Sequence, residues 1–134
     1  KSGDESLATV DMAAIDLFSG KAELMKAGAP ASMARKSGKA VKIDAPSLPV
    51  GILNETSFAR ESVKLAADDL LVLYSDGVTA GGEDWLAELL EGWKGEVPQE
   101  LAESIVSQAI SQRSDGHDDD ITVIVIKLAE PHLE

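Results

Sequence analysis

An α+β fold is predicted for this chain, with strands leading, helices following and a strand closing. Three observations carry that expectation. Residues 1–65 form short apolar or alternating stretches separated by Gly, Pro and Ser. Leu70–Tyr74 is a continuous apolar run of strand length, the pattern of a strand buried on both faces. After Ser75-Asp76-Gly77 the apolar period becomes helical, until Ile121-Thr122-Val123-Ile124-Val125-Ile126 returns to strand.

The elements follow in order. Residues 7–17 are rich in β-branched and small apolar side chains, and Phe18-Ser19-Gly20 supplies turn chemistry. Lys21–Ala27 reads as a half-buried strand, with Ala22, Leu24 and Ala27 apolar and Glu23 and Lys26 between them. Gly28-Ala29-Pro30 breaks it. Ser37-Gly38 is a hairpin tip between Ser32–Lys36 and residues 40–43. Pro46 and Pro49 each remove a ladder donor, so residues 45–49 are a loop running into Val50-Gly51-Ile52. A strand is expected over residues 58–65, then a turn at Ala66-Ala67-Asp68-Asp69. Trp85, Leu86, Leu89, Leu90 and Trp93 share one helical face, with Glu88 and Glu91 opposite. Gly92 weakens the end of that helix and Lys94-Gly95 stops it. Pro98 suits a first helical position, and Leu101, Ile105 and Ala109, flanked by Ala102 and Val106, carry a second helix to about Arg113. Residues 114–120 are a loop, and 121–128 the last strand. No repeat or low-complexity tract is present.

The 134 residues suit one domain or part of one. Aromatics make up only 4% of the chain, so aliphatic side chains must supply most of the core. Twenty-four acidic residues against twelve basic ones give a net charge of -12. Such a surface repels phosphate backbones, which argues against nucleic acid and against an anionic membrane, though not against a basic protein partner. The absence of cysteine excludes disulfides, thiolate zinc sites and cysteine nucleophiles. No apolar run approaches the ~20 residues that cross a bilayer, and nothing at the start resembles a signal peptide. The start at Lys1 without Met is read as a cut from a longer, even membrane-bound, parent. Leu133-Glu134 is read as a cloning scar, so His132 carries no functional weight.

Two carboxylate groups stand out by position. Asp76 follows the buried strand, while Asp118, Asp119 and Asp120 precede the last one. If those strands are antiparallel neighbours, the aspartates converge on one sheet edge. Carboxylates packed closely repel, and a divalent cation relieves the repulsion; oxygen-only ligation favours Mg²⁺ or Mn²⁺ over Zn²⁺. Two blander readings stay open on spacing alone. Asp-Gly after a strand is a common turn, and an aspartate run is usually a solvated loop. The ligand spacing of an EF-hand is absent.

Tyr74-Ser75-Asp76-Gly77-Val78 resembles the second aspartate motif of the 2C-type (PPM) metal-dependent protein phosphatases, and Asp119-Asp120-Ile121-Thr122 resembles their final one. Lys26-Ala27-Gly28-Ala29-Pro30, Leu48-Pro49-Val50-Gly51-Ile52 and Ala67-Asp68-Asp69-Leu70-Leu71 fall in the family's order. Each motif is short; the ordered set, over residues 7–128, is specific. The resemblance implies two packed β-sheets flanked by helices (αββα), with Mn²⁺ or Mg²⁺ at one end in a two-metal site that activates water for attack on phosphoserine. It implies Asp76 and Asp119 as metal ligands, Gly77 as the residue shaping the turn, and Asp118 and Asp120 as flanking residues that support them. The family's first Asp-Gly motif has no match before Leu7. The chain is therefore expected to be the C-terminal half of its domain, inactive alone, with uncovered sheet surface that homodimerisation or strand exchange would bury.

Leu48 to Glu55, and Arg113-Ser114 followed by Asp118 to Thr122, are most similar to the sporulation members of the family. That similarity implies a protein serine phosphatase acting on a phosphorylated anti-sigma-factor antagonist, so that a sporulation sigma factor is released. It also implies an integral membrane parent at the division septum, a cell-division protein as a further partner, and a cytoplasmic-side position for this segment. Another bacterial PPM signalling phosphatase and a non-catalytic, phosphatase-like interaction module are the alternatives. His117 is read as a solvated loop residue, Asp16 and Asp68 as turn residues, and Trp85 and Trp93 as core anchors. Arg35, Arg60 and Arg113 are candidates for phosphoprotein contact, with nothing to choose among them.

Overall fold

The computed structural model describes residues 9–44, 58–113 and 120–130. Their elements run β1 (Val10–Ile15), β2 (Lys21–Ala27), β3 (Ser32–Lys36), β4 (Lys39–Ile43), β5 (Ala59–Lys64), β6 (Leu70–Tyr74), α1 (Asp76–Thr79), α2 (Asp84–Gly92), α3 (Pro98–Ser111) and β7 (Val123–Lys127). The loop at 45–49 and Val50-Gly51-Ile52 lie outside the described residues. β1 ends earlier than the apolar pattern suggests, because the Asp16 carboxylate accepts the N–H groups of Phe18 (2.9 Å) and Ser19 (3.3 Å) and turns the chain there. Those two donors hold the Asp16 carboxyl below its usual range.

Two antiparallel sheets form, ordered β1-β2-β5 and β4-β3-β6-β7. Alternation along β6 explains why its sequence is apolar throughout. Leu71 and Leu73 point into the layer between the sheets, where they meet Ala22, Leu24, Ala34, Ile43 and Leu65. Leu70, Val72 and Tyr74 point the other way, into a core with Trp85, Leu86, Leu90, Leu101 and Ile105 of the helices. Every side chain of the strand is buried. Among the described residues, helices cover only the four-stranded sheet. The outer face of the other sheet carries Met12, Glu23, Met25 and Arg60 in register.

One strand assignment is corrected. Lys26 was expected to face outward, yet it lies in phase with Ala22 and Leu24 on the inner face and is fully buried. The reason is a set of acceptors: Asp11 Oδ1 at 2.8 Å, the Pro30 carbonyl at 3.0 Å and Ser32 Oγ at 2.7 Å. Arg35 also proves to be structural. Its guanidinium donates to the carbonyls of Leu90 (2.9 Å) and Trp93 (2.6 Å) and stands 5.8 Å from the Trp93 ring centroid, satisfying the C-terminus of α2. Trp85 and Trp93 are core anchors as expected, with the Trp85 N–H donating to the Gly82 carbonyl.

Candidate metal centre

The junction of β6 and β7 builds the site. Their antiparallel register sets Tyr74 opposite Val123, and the pairing continues one step further through side chain and main chain together. Ser75 N–H donates to the Thr122 carbonyl (3.0 Å), and Thr122 N–H donates to Ser75 Oγ (2.9 Å). The Ser75 hydroxyl donates in turn to the Asp120 carbonyl (3.2 Å). Ser75 is the N-cap of α1, but its hydroxyl makes no capping bond, because the neighbouring strand engages it.

Asp76 thus opens α1 rather than a simple turn, and it is exposed. Gly77 follows it under close constraint. A Cβ built there would lie 2.5 Å from the Asp120 carbonyl oxygen and 3.2 Å from Ile121 Cγ1. Close approach of two main chains, not an unusual torsion angle, requires the glycine. Asp76, Gly77 and Asp120 come together at one sheet end. Asp118 and Asp119, together with His117, lie outside the described residues.

Among the described residues the Asp76 carboxylate has no hydrogen bond or ion pair, and no group of three or more His, Asp or Glu side chains comes together. The donors present at the junction are hard oxygens: a carboxylate, a hydroxyl and main-chain carbonyls. They fit Mg²⁺ or Mn²⁺ and are poorly suited to a soft-ligand metal. The Tyr74 side chain, one residue before Ser75, turns into the helix-side core, where its hydroxyl is buried and has no hydrogen-bond partner among the described residues. Burial pushes this phenol up to about 12, and the carboxylates of Glu83, Asp11 and Asp44 push the same way.

With this geometry in view, likeness to known proteins is decisive. The family model for stage II sporulation protein E (SpoIIE) matches residues 1–129. The chain belongs to the SpoIIE family. It is 33% identical over 131 residues to stage II sporulation protein E of Bacillus subtilis (strain 168), covering 93% of this chain and 16% of that protein. The Priestia megaterium protein of the same description is 33% identical over 134 residues, covering 96% of this chain and 23% of that one. The SpoIIE phosphatase domain from Bacillus subtilis, in a form presoaked with Mn, superposes with a TM-score of 0.77 at 32% identity. That match covers 94% of this chain and 58% of the solved one. The chain therefore spans about a sixth to a quarter of its full-length SpoIIE relatives, and carries part of the SpoIIE phosphatase fold.

Arg60 forms an exposed pair with Glu23 (3.2 Å), of small energetic weight. Asp16 serves its turn, and Asp68 adopts a positive φ of 70° beside the buried Asp69, which accepts the N–H groups of Ser37 (3.1 Å) and Ala66 (2.8 Å). The Lys26–Asp11 pair was missed. Its signal was present: both charges fall on the apolar phase of their strands, Asp11 with Ala13 and Ile15, Lys26 with Ala22 and Leu24.

Proposed function

We propose that this chain is the C-terminal part of a metal-dependent protein serine phosphatase domain. Membership of the SpoIIE family supports the activity. The observation that carries the site is the placement of Asp76 and Gly77 against the Asp120 main chain, one residue from Asp119. Asp76 and Asp119 are assigned as metal ligands, with Gly77 setting their separation and Asp118 and Asp120 supporting them. Mn²⁺ or Mg²⁺, when bound, supplies positive charge against the phosphoryl group and makes an attacking water more acidic. The chain's own contribution is to hold the Asp76 carboxylate just past the end of β6, with Gly77 packed against the Asp120 main chain that leads into β7. The remaining part of the domain supplies the first Asp-Gly motif.

The substrate is a phosphorylated anti-sigma-factor antagonist, and the whole protein acts in sporulation signalling from the membrane of the division septum, near a cell-division protein. No helix among the described residues is long and apolar enough to cross a membrane; the cytoplasmic side is assigned to this segment on its likeness to the SpoIIE family alone. The test uses the complete domain with Mn²⁺ and a serine-phosphorylated protein. Asp76→Asn and Asp119→Asn are each expected to lower turnover at least about 100-fold with the fold retained, since a carboxylate charge is lost without opening a cavity. Near-normal turnover in either variant refutes the ligand assignment. No Mn²⁺-dependent turnover in the wild-type domain favours the interaction-module alternative.

A further inference from the structure

A lysine lies wholly inside the sandwich, and stability alone does not account for it. Lys26 stands directly across from Asp11 on the inner face of the three-stranded sheet. Its ammonium also donates to the buried Ser32 hydroxyl, which belongs to β3 of the other sheet, and to the Pro30 carbonyl between them. One cation therefore joins both sheets and the main chain that crosses from one to the other. Removing an ammonium from water is costly, and apolar residues of similar volume often hold a fold at least as well. What the polar arrangement adds is a fixed geometry.

The geometry is fixed at the functional end. β3 pairs antiparallel with β6 and Met33 faces Val72, so the chain enters β3 on the side toward which β6 runs on to Asp76. The crossover at residues 28–31 thus emerges where β6 gives way to Asp76. Its other side is held by a bridge between Val10 and Gly28, and Gly28 has a φ of 68°, which favours glycine. Gly28, Ala29 and Pro30 are half-buried and present small side chains at the surface.

We propose that Lys26 is a positioning residue for the substrate polypeptide: it fixes residues 28–31 as a rigid wall beside Asp76, against which the chain flanking a phosphoserine lies. This assignment rests on the phosphatase function proposed above. Small residues let a substrate main chain approach closely, and a wall misplaced by about 1 Å is enough to cost large factors in productive binding.

The test is made in the complete phosphatase domain with Mn²⁺, comparing serine-phosphorylated casein with p-nitrophenyl phosphate. Lys26→Met lowers the denaturation midpoint, because Asp11 is left largely buried without its cation. Adding Asp11→Leu removes that charge and restores the midpoint. In the double variant KM for casein is expected to rise about ten-fold or more, while kcat/KM for the small ester stays within about two-fold of wild type. Ser32→Ala keeps the ion pair and is expected to raise the casein KM in the same direction, which covers the case of a double variant that fails to fold. An unchanged casein KM in either variant overturns the proposal, as does a parallel fall for both substrates. Absence of Mn²⁺-dependent turnover in the wild-type domain overturns the phosphatase function first, and this assignment with it.

Discussion

Replacing Gly77 with alanine sets two effects of known sign against each other. In a helical position alanine is favoured over glycine by about 1 kcal/mol. At Gly77, however, the new Cβ would stand 2.5 Å from the Asp120 carbonyl oxygen, where carbon–oxygen contacts ordinarily relax to about 3.3 Å. A shift of about 0.8 Å is needed, and it cannot come from a flexible side chain, because the obstacle is main chain. Moving Asp120 also stretches the bond from Ser75 Oγ to its carbonyl, worth about 1 kcal/mol. Overpacking of this kind costs about 1–3 kcal/mol, so clash and lost bond together outweigh propensity. The expected net effect is a loss of about 1–3 kcal/mol. Gly92 in α2 is the matched control: nothing lies within 4 Å of its Cβ position, and Gly92→Ala should gain up to about 1 kcal/mol. Urea denaturation followed by fluorescence of Trp85 and Trp93 measures both. Gly77→Ala as stable as wild type, or a loss in Gly92→Ala equal to that in Gly77→Ala, would refute the close-approach account.

Arg35→Ala removes two charge-assisted hydrogen bonds to carbonyls at the end of α2 and should cost about 2–3 kcal/mol in the same denaturation experiment; a change under about 0.5 kcal/mol would show that water replaces the guanidinium without loss. Tyr74 is the only tyrosine, so its ionisation can be followed directly by ultraviolet absorbance, with an expected midpoint at about 12 rather than 10.0. Because the folded state keeps a proton that the unfolded state releases, stability should fall as pH rises through that window, by about 2–3 kcal/mol in total; a midpoint near the ordinary phenol value would contradict the burial described. Lys1–Glu134 alone, given Mn²⁺ and p-nitrophenyl phosphate, should show no turnover and should associate in light scattering as its uncovered sheet surface pairs. Robust turnover that disappears in Asp119→Asn would mean that the metal centre is complete within this chain.

Most of the architecture was legible because local chemistry and tertiary packing agree here. The Pro98 start of α3, the Ser37-Gly38 tip and the all-apolar β6 each state locally what the fold does globally. The helical turn at Asp76 was not legible. Four residues are too few to display a period, and the Ser75 side chain serves β7 instead of advertising a cap. Lys26 was misread for a related reason. Alternation predicts which positions face inward, but a lysine at such a position looks like an error in phase unless its partners are known, and Asp11 and Ser32 come from two other strands. The pairing that places Asp76 beside Asp120 followed from strand ends and motif order; the close approach at Gly77 needed coordinates.

Because β6 is paired on both edges and buried on both faces, its amide protons exchange only when its bonds to β3 or β7 break and a hydrophobic layer opens with them. Hydrogen exchange in this strand should therefore report the global unfolding free energy, while β5, with most of its side chains exposed, exchanges through smaller openings. Asp76 follows closely on this strand, the one fully buried strand among the described residues. The proposed ligand therefore keeps its place through the partial openings that disturb the periphery, and the affinity of the proposed centre need not track local breathing of the sheets around it.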